Sequence, residues 1–244
     1  MKAFLLAAGK GKRLRPLTEV TPKPLIPVAG EPLIVRQIEQ LKKAGVTEFI
    51  INTHWLAERL HEFLGDGSKF DIQIHWSHED QLLETGGGIQ KALPLIGDDP
   101  FLLVSADIWT DFEYRSFVSR PLLKSEVARL VLVDNPEHNL SGDFLLASTT
   151  TSTADYPAVS MPGSSQPKEQ LSALTYSGIA LIDPTWVASW RFGDSAFPLR
   201  EPLFEAISKN QISGYHYLGI WTDVGNLERL KAIRSRLEVE YAAE

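Results

Sequence analysis

Strand-length apolar runs and stretches of helical period alternate through the first half of this chain: KAFLLA, PLIVRQIEQLKKAG, EFIINT, WLAERLHEFLG, IQIHWS, GGGIQKALPLI and FLLVSAD follow one another. Such alternation predicts a mostly parallel sheet wrapped by helices, an α/β three-layer sandwich of the nucleotide-binding type. In the segment at 32–44, Leu33, Ile34, Ile38, Leu41 and Ala44 form one apolar stripe. Pro32 suits a first-turn position and Gly45 a helix end. After VARLVLVDN at 127–135 the rhythm loosens. The run STTTSTADYPAVSMPGSSQP at 148–167 reads as a long loop or hairpin, because the strand-like LSALTYSGIALID follows it. NLERLKAIRSRLEVEYAA then reads as a terminal helix, at about 226–244.

With 244 residues, 43% of them hydrophobic, the chain can bury a sizeable core, and a single domain over 1–244 is expected. No window of about 18 uninterrupted apolar residues occurs and no secretory signal is readable, so a cytoplasmic enzyme without a membrane partner is expected. Cysteine is absent, which excludes disulfides, Cys-ligated zinc and thiol nucleophiles. The formal net charge of -7 argues against a nucleic-acid binder, whose affinity rests on Lys and Arg. Locally the balance inverts: residues 1–30 carry Lys2, Lys10, Lys12, Arg13, Arg15 and Lys23 against Glu19 alone. A concentrated positive segment in an acidic chain suits a small polyanion.

Most of those cations lie in LAAGKGKRLRP, Leu6 to Pro16. The spacing is not that of a Walker loop, and Leu14 stands where the third glycine of a dinucleotide fingerprint belongs. Gly9 and Gly11 still allow successive N–H groups to converge on an anion. Arg13 adds a planar fork for phosphate, and Lys23, between Pro22 and Pro24, a point charge on restricted backbone. Lys10, Lys12 and Arg15 taken singly read equally well as solvated surface charges.

Asp107 ends the apolar run FLLVSAD, and ligands of open α/β sheets sit beyond the carboxyl ends of strands. Asp223, in GIWTDVG, is the second candidate. Two aspartates plus phosphate oxygens suffice for Mg²⁺, a hard cation that keeps several waters. Asp111 reads as a cap for the next helix. The six histidines show no zinc-binding spacing and read as surface or structural residues. Glu84-Thr85-Gly86-Gly87-Gly88 opens a helix with three glycines, which suggests close approach of a planar ligand or anion contact at the helix start.

The stretch LAAGKGKRLRPLTEVTPKPLIPVAGEPLI resembles the signature of the sugar-1-phosphate nucleotidyltransferases. The resemblance implies the Rossmann-like nucleotide-diphospho-sugar transferase fold, with a nucleotide-binding half at about 1–110 and a sugar-phosphate-binding half at about 111–225. It implies a nucleoside triphosphate held by Leu6, Ala7, Ala8, Gly9, Gly11, Lys12, Arg13 and Lys23, with Glu84, Gly86, Gly87 and Ser105 also on the nucleotide. Arg13, Lys23 and Asp107 would be catalytic, and Asp107 and Asp223 would hold Mg²⁺. LETGGG, Trp109-Thr110-Asp111, Val133-Asp134-Asn135-Pro136 and Gly142-Asp143-Phe144 resemble the uridylyltransferases acting on N-acetylmuramate 1-phosphate. That subgroup implies UTP, a sugar 1-phosphate and cell-wall sugar recycling. The chain lacks the E-K-P lysine with which many members hold the sugar phosphate; Gly142, Asp134 and Ser177, and more weakly Lys168, are the acceptor candidates. Rival readings are a mannose-1-phosphate guanylyltransferase, a cytidylyltransferase for a small phospho-alcohol, and a sugar-nucleotide sensor without chemistry.

Overall fold

In the computed structural model, which describes residues 1–147, 156–162, 171–193 and 195–242, elements alternate as the apolar pattern requires. They are β1 (Lys2–Leu6), β2 (Pro27–Val28), β3 (Glu31–Pro32), α1 (Leu33–Lys43), β4 (Glu48–Thr53), α2 (Ala57–Leu64), β5 (Gln73–His78), α3 (Glu84–Ile96), β6 (Phe101–Ser105), β7 (Ile108–Thr110) and α4 (Tyr114–Val118). There follow β8 (Ala128–Val133), β9 (Phe144–Ala147), β10 (Val159–Ser160), β11 (Leu171–Ile182), α5 (Pro184–Ala188), α6 (Arg200–Ser208), β12 (Ile212–Tyr217), β13 (Trp221–Asp223) and α7 (Leu227–Ala242). Lys168 and most of the 148–167 loop lie outside the described residues; within that loop β10 forms a short antiparallel ladder with β9.

The strands β5, β4, β1 and β6 lie side by side and parallel, and the long β11 joins β6 antiparallel. Beyond β11 come β8, antiparallel, and β12, parallel to β8. The sheet is therefore mixed and mostly parallel. Alternate side chains show why it must be covered twice. Phe4, Ile50, Leu103, Leu130 and Ala180 enter one buried cluster with residues of α3 and α6. Their neighbours Leu5, Ile51, Val104, Val131 and Ile179 enter another with α1, α2 and α4. Strands apolar on both faces leave the helices no alternative but two outer layers. Each fully buried aliphatic or aromatic side chain contributes about 1.5–3 kcal/mol to holding those layers together.

In α1 the expected stripe is buried at Leu33, Ile34, Ile38 and Leu41, and Ala44 stands just beyond the helix end. Pro32 takes the N-cap rather than the first turn, and Gly45, at φ +86, closes the end with its N–H on the Lys42 carbonyl. Gln37 joins the stripe because both ends of its amide are satisfied, Nε2 on the Ile108 carbonyl (2.9 Å) and Oε1 by the Tyr114 hydroxyl (2.8 Å). Asp111 does not cap α4. Glu113 does, accepting from the N–H groups of Arg115 and Ser116, and the Ser116 bond holds its carboxyl below the usual range. Asp111 instead accepts from the Ile220 N–H (2.8 Å) and the Tyr217 hydroxyl, so it fixes the approach to β13.

The terminal helix α7 turns Leu230, Ile233 and Leu237 into a third cluster with Leu14, Ile26, Trp109 and Val224. The glycine-rich loop after β1 is thereby clamped between the sheet and the last helix. Among the described residues, no helix is long and apolar enough to cross a membrane.

Candidate active site

Chain segments leaving the carboxyl ends of β1, β4, β5 and β6 converge on a cleft of about 250 Å³. Leu6, Ala7, Ala8 and Gly9 line it from the loop after β1, Asn52 and Glu79 from the β4 and β5 ends, and Ser105 and Asp107 from the β6 end. Glu84, Thr85, Leu82, Lys23 and Pro24 complete the wall. Nothing lies within 4 Å of where a Cβ on Gly9 would stand, so a ligand can approach the backbone there. Gly11 has a different reason to be glycine: its φ is +58, and a Cβ would sit 2.8 Å from Thr18 Cγ2. The Thr18 hydroxyl donates to the Gly11 carbonyl (2.8 Å), which fixes the turn. Lys12 and Arg13 follow on a short 3₁₀ turn; both are exposed and neither lines the cleft wall.

Within that wall runs a buried polar chain to which no sequence motif pointed. Asn52 accepts from the Ala7 N–H (2.6 Å) and donates to Glu79 Oε1 (2.7 Å), while Glu79 Oε2 accepts from the Leu83 N–H (2.9 Å). Glu79 is only 1% exposed. Its two hydrogen bonds offset the cost of burying a carboxylate and tie the glycine-rich loop to the segment opening α3.

The three glycines opening α3 answer to that packing. The N–H groups of Gly86 and Gly87 both point to the Phe197 carbonyl (2.9 and 3.2 Å), so they are not free for an anion. A Cβ on Gly86 would fall 2.3 Å from the Phe197 ring, and one on Gly88 2.8 Å from Glu79 Oε1. Of the residues expected on the nucleotide here, Glu84 lines the cleft, with Thr85 beside it, whereas Gly86 and Gly87 pack against the Phe197 segment and are not in its lining. Glu84 holds φ +58, a backbone state that costs a non-glycine residue of order 1–3 kcal/mol. Gly86→Ala is expected to destabilise the fold by about 1–3 kcal/mol through overpacking against Phe197, read as a lower urea midpoint at unchanged slope. An unchanged midpoint would mean that the Phe197 segment simply moves aside.

The two candidate metal aspartates come together through a short ladder. Strand β13 pairs antiparallel with β7, placing Asp223 opposite Ile108, and the Val224 N–H donates to the Asp107 carbonyl (2.9 Å). Each carboxylate faces a cation. Lys23 Nζ donates to Asp107 Oδ2, with Lys23 only 11% exposed. Arg229 Nη1 donates to Asp223 Oδ1 (2.7 Å) and to His138 Nε2 (2.6 Å). His138 is therefore no incidental surface histidine; no sequence spacing pointed to it, because its partners lie on β13 and α7. Two hard-oxygen carboxylates lining one cleft beside this ladder fit a divalent cation that completes its shell with phosphate oxygens and water. Among the described residues no cluster of three or more such ligands exists, so an all-protein cage is not what the chain offers.

A second, larger cleft of about 650 Å³ continues from the first, sharing Leu6, Thr85, Ser105 and Asp107 with it. Gly142, Ser177 and Asp223 line it, as do His138, Asp143, Tyr176, Arg200 and Phe204. Ser177 offers no free hydroxyl: its side chain donates to the Val131 carbonyl (2.7 Å) and holds the bulge of β11 at Tyr176 to Ile179. Asp134 is absent from the lining and pairs with His216 (2.8 Å). Asp143, not singled out from the sequence as an acceptor residue, lines the cleft, its carboxylate accepting from the Tyr176 N–H (2.8 Å) and the Asn139 amide (3.1 Å). Tyr176 keeps a buried hydroxyl without a partner among the described residues, and burial pushes its pKa up.

A family model described as nucleotidyl transferase matches residues 2–144. The N-acetylmuramate alpha-1-phosphate uridylyltransferase of Neisseria meningitidis is 42% identical over 236 residues, covering 95% of this chain and 96% of that protein. The mannose-1-phosphate guanyltransferase of Hypocrea jecorina is 26% identical over 92% of this chain, which spans only 61% of its length. Among solved structures, a Bacillus anthracis chain named for glucose-1-phosphate thymidylyltransferase superposes with a TM-score of 0.79 at 21% identity, covering 97% of this chain and 94% of that one.

Proposed function

The chain belongs to the nucleotidyl transferase family and is a sugar-1-phosphate nucleotidyltransferase, and we propose that its reaction joins UTP to N-acetylmuramate 1-phosphate, giving UDP-N-acetylmuramate and pyrophosphate. The observation that carries this choice of base and acceptor is similarity to the Neisseria uridylyltransferase along 95% of this chain and 96% of that protein. The guanyltransferase relative is matched over only part of its own length. A role in cell-wall sugar recycling follows from the same product.

In this reading an oxygen of the sugar 1-phosphate attacks the α-phosphorus of UTP. A new P–O bond forms as the bond to the bridging oxygen of the β-phosphate breaks, and pyrophosphate leaves with that electron pair. No side chain has to remove a proton from the nucleophile, because a phosphate monoester with a second pKa of about 6 is largely dianionic at neutral pH. What remains is repulsion between two anions, which the site answers by positioning and electrostatics. Gly9 leaves the backbone open to the triphosphate, and Arg13 supplies its fork. Lys23 can turn its ammonium from Asp107 to a phosphate oxygen without leaving the cleft. Asp107 and Asp223 would hold Mg²⁺, which when bound neutralises phosphate charge. The Asn52 and Glu79 chain keeps the loop after β1 at a fixed distance from the α3 start.

Pyrophosphate release from UTP, GTP and CTP across a panel of sugar 1-phosphates tests the reading. The expected result is highest kcat/KM with UTP and N-acetylmuramate 1-phosphate. Preference for GTP and mannose 1-phosphate would overturn it, as would tight UTP binding with no turnover on any acceptor.

A further inference from the structure

An acceptor that carries a carboxylate as well as a phosphate poses a problem for the larger cleft. N-acetylmuramate 1-phosphate is a hexosamine phosphate with a lactic acid ether, so it brings two separate anionic groups. Its phosphate has to reach the α-phosphorus beside Lys23, Asp107 and Asp223. Its carboxylate then lies farther along a wall that already holds the carboxylates of Asp107, Asp143 and Asp223. Asp223 is paired with Arg229, and Asp143 only accepts hydrogen bonds from the Tyr176 N–H and the Asn139 amide, so neither arrangement leaves a cation for the acceptor.

Arg200 is the one lysine or arginine among the described lining residues of that cleft. It is exposed and has no hydrogen bond or ion pair with any described residue. Nor does its position serve the helix: it is the first residue of α6, where the dipole disfavours positive charge. Two contacts fix where it stands. The preceding Leu199 N–H donates to Thr85 Oγ1 (3.2 Å), at the seam of the two clefts. One turn along α6, the Phe204 ring meets Phe144 edge to face at 6.5 Å, beside Gly142 and Asp143. Arg200 thus overlooks the acceptor end, while Lys23 serves the nucleotide end.

We infer that Arg200 is a specificity-determining residue that binds the carboxylate of the acceptor sugar, an inference that rests on the acceptor reading above. A guanidinium presents parallel donors that match a carboxylate in two-point contact, and an unpaired one has no internal bond to break first. The chain would then select its acceptor by a second anion instead of by the lysine that it lacks from the E-K-P pattern.

The test compares N-acetylmuramate 1-phosphate with N-acetylglucosamine 1-phosphate, the same sugar without the lactic acid, for the natural enzyme, Arg200→Ala and Arg200→Lys. The expected result is a preference for the acid that falls about 10- to 100-fold in Arg200→Ala, mainly through KM, and recovers in part in Arg200→Lys. Calorimetry with UDP-N-acetylmuramate and UDP-N-acetylglucosamine should show the same selective loss in binding. A natural enzyme that favours the acceptor without the lactic acid would overturn both this inference and the acceptor reading. A natural enzyme that favours the acid, with the preference intact in Arg200→Ala or both acceptors weakened in equal proportion, would overturn the role of Arg200 alone.

Discussion

Asp107→Ala is expected to lower turnover on the order of 10³-fold or more while the protein still folds. The magnitude follows from what a bound divalent cation contributes at a transferring phosphoryl group, several kcal/mol of charge stabilisation. Folding is expected to survive because the ladder at this point uses the Asp107 backbone, whose carbonyl accepts from the Val224 N–H whatever the side chain. The substitution also leaves Lys23 without its carboxylate, so nucleotide affinity is expected to hold even as the rate collapses. Asp223→Ala should lose rate comparably but be less stable, since Arg229, 14% exposed, keeps only its contact with His138. Asp223→Asn is the better probe there. Steady-state kinetics over a magnesium titration, with thermal unfolding as the fold control, checks both. Near-normal rates in the two aspartate variants would remove the metal assignment.

Arg13→Ala is expected to cost on the order of 10² to 10³ in rate, by analogy with the loss of one transition-state donor. Arg13 is exposed and has no internal partner among the described residues, so truncation should change stability by no more than about 0.5 kcal/mol. Its neighbour Leu14 is fully buried in the cluster beneath α7, and the Leu14 N–H is bonded to the Gly11 carbonyl (2.9 Å). The turn that carries Arg13 is therefore anchored independently of it, and a rate loss at unchanged melting temperature would be a loss at the phosphates. A reduction of only a few-fold would return Arg13 to the solvated surface.

Much of the architecture could be read from residue order. EFIINT coincides with β4, the stripe of α1 is buried where expected, and the run ending at Asp107 is strand up to Ser105. These are local matters, set by the spacing of apolar side chains over one element. At other positions a distant segment sets the surroundings of the side chain. The glycines at 86–88 read as a ligand contact, yet Phe197 and Glu79 occupy the space a side chain would need. Ser177 looked like an acceptor contact, but its hydroxyl is required by the bulge in its own strand. Asp134 stood near a motif and finds His216 instead.

Residue order by itself determined the alternating layers, the open glycine turn after β1 and the family to which the chain belongs, because each depends on neighbours a few positions apart. Tertiary structure alone decided that Asp107 and Asp223 line one cleft beside the same ladder, that Asn52 and Glu79 brace the loop after β1, and that Arg200 lines the larger cleft. Those juxtapositions depend on strand order and on the pairing of β7 with β13, and no periodicity within a single segment encodes them.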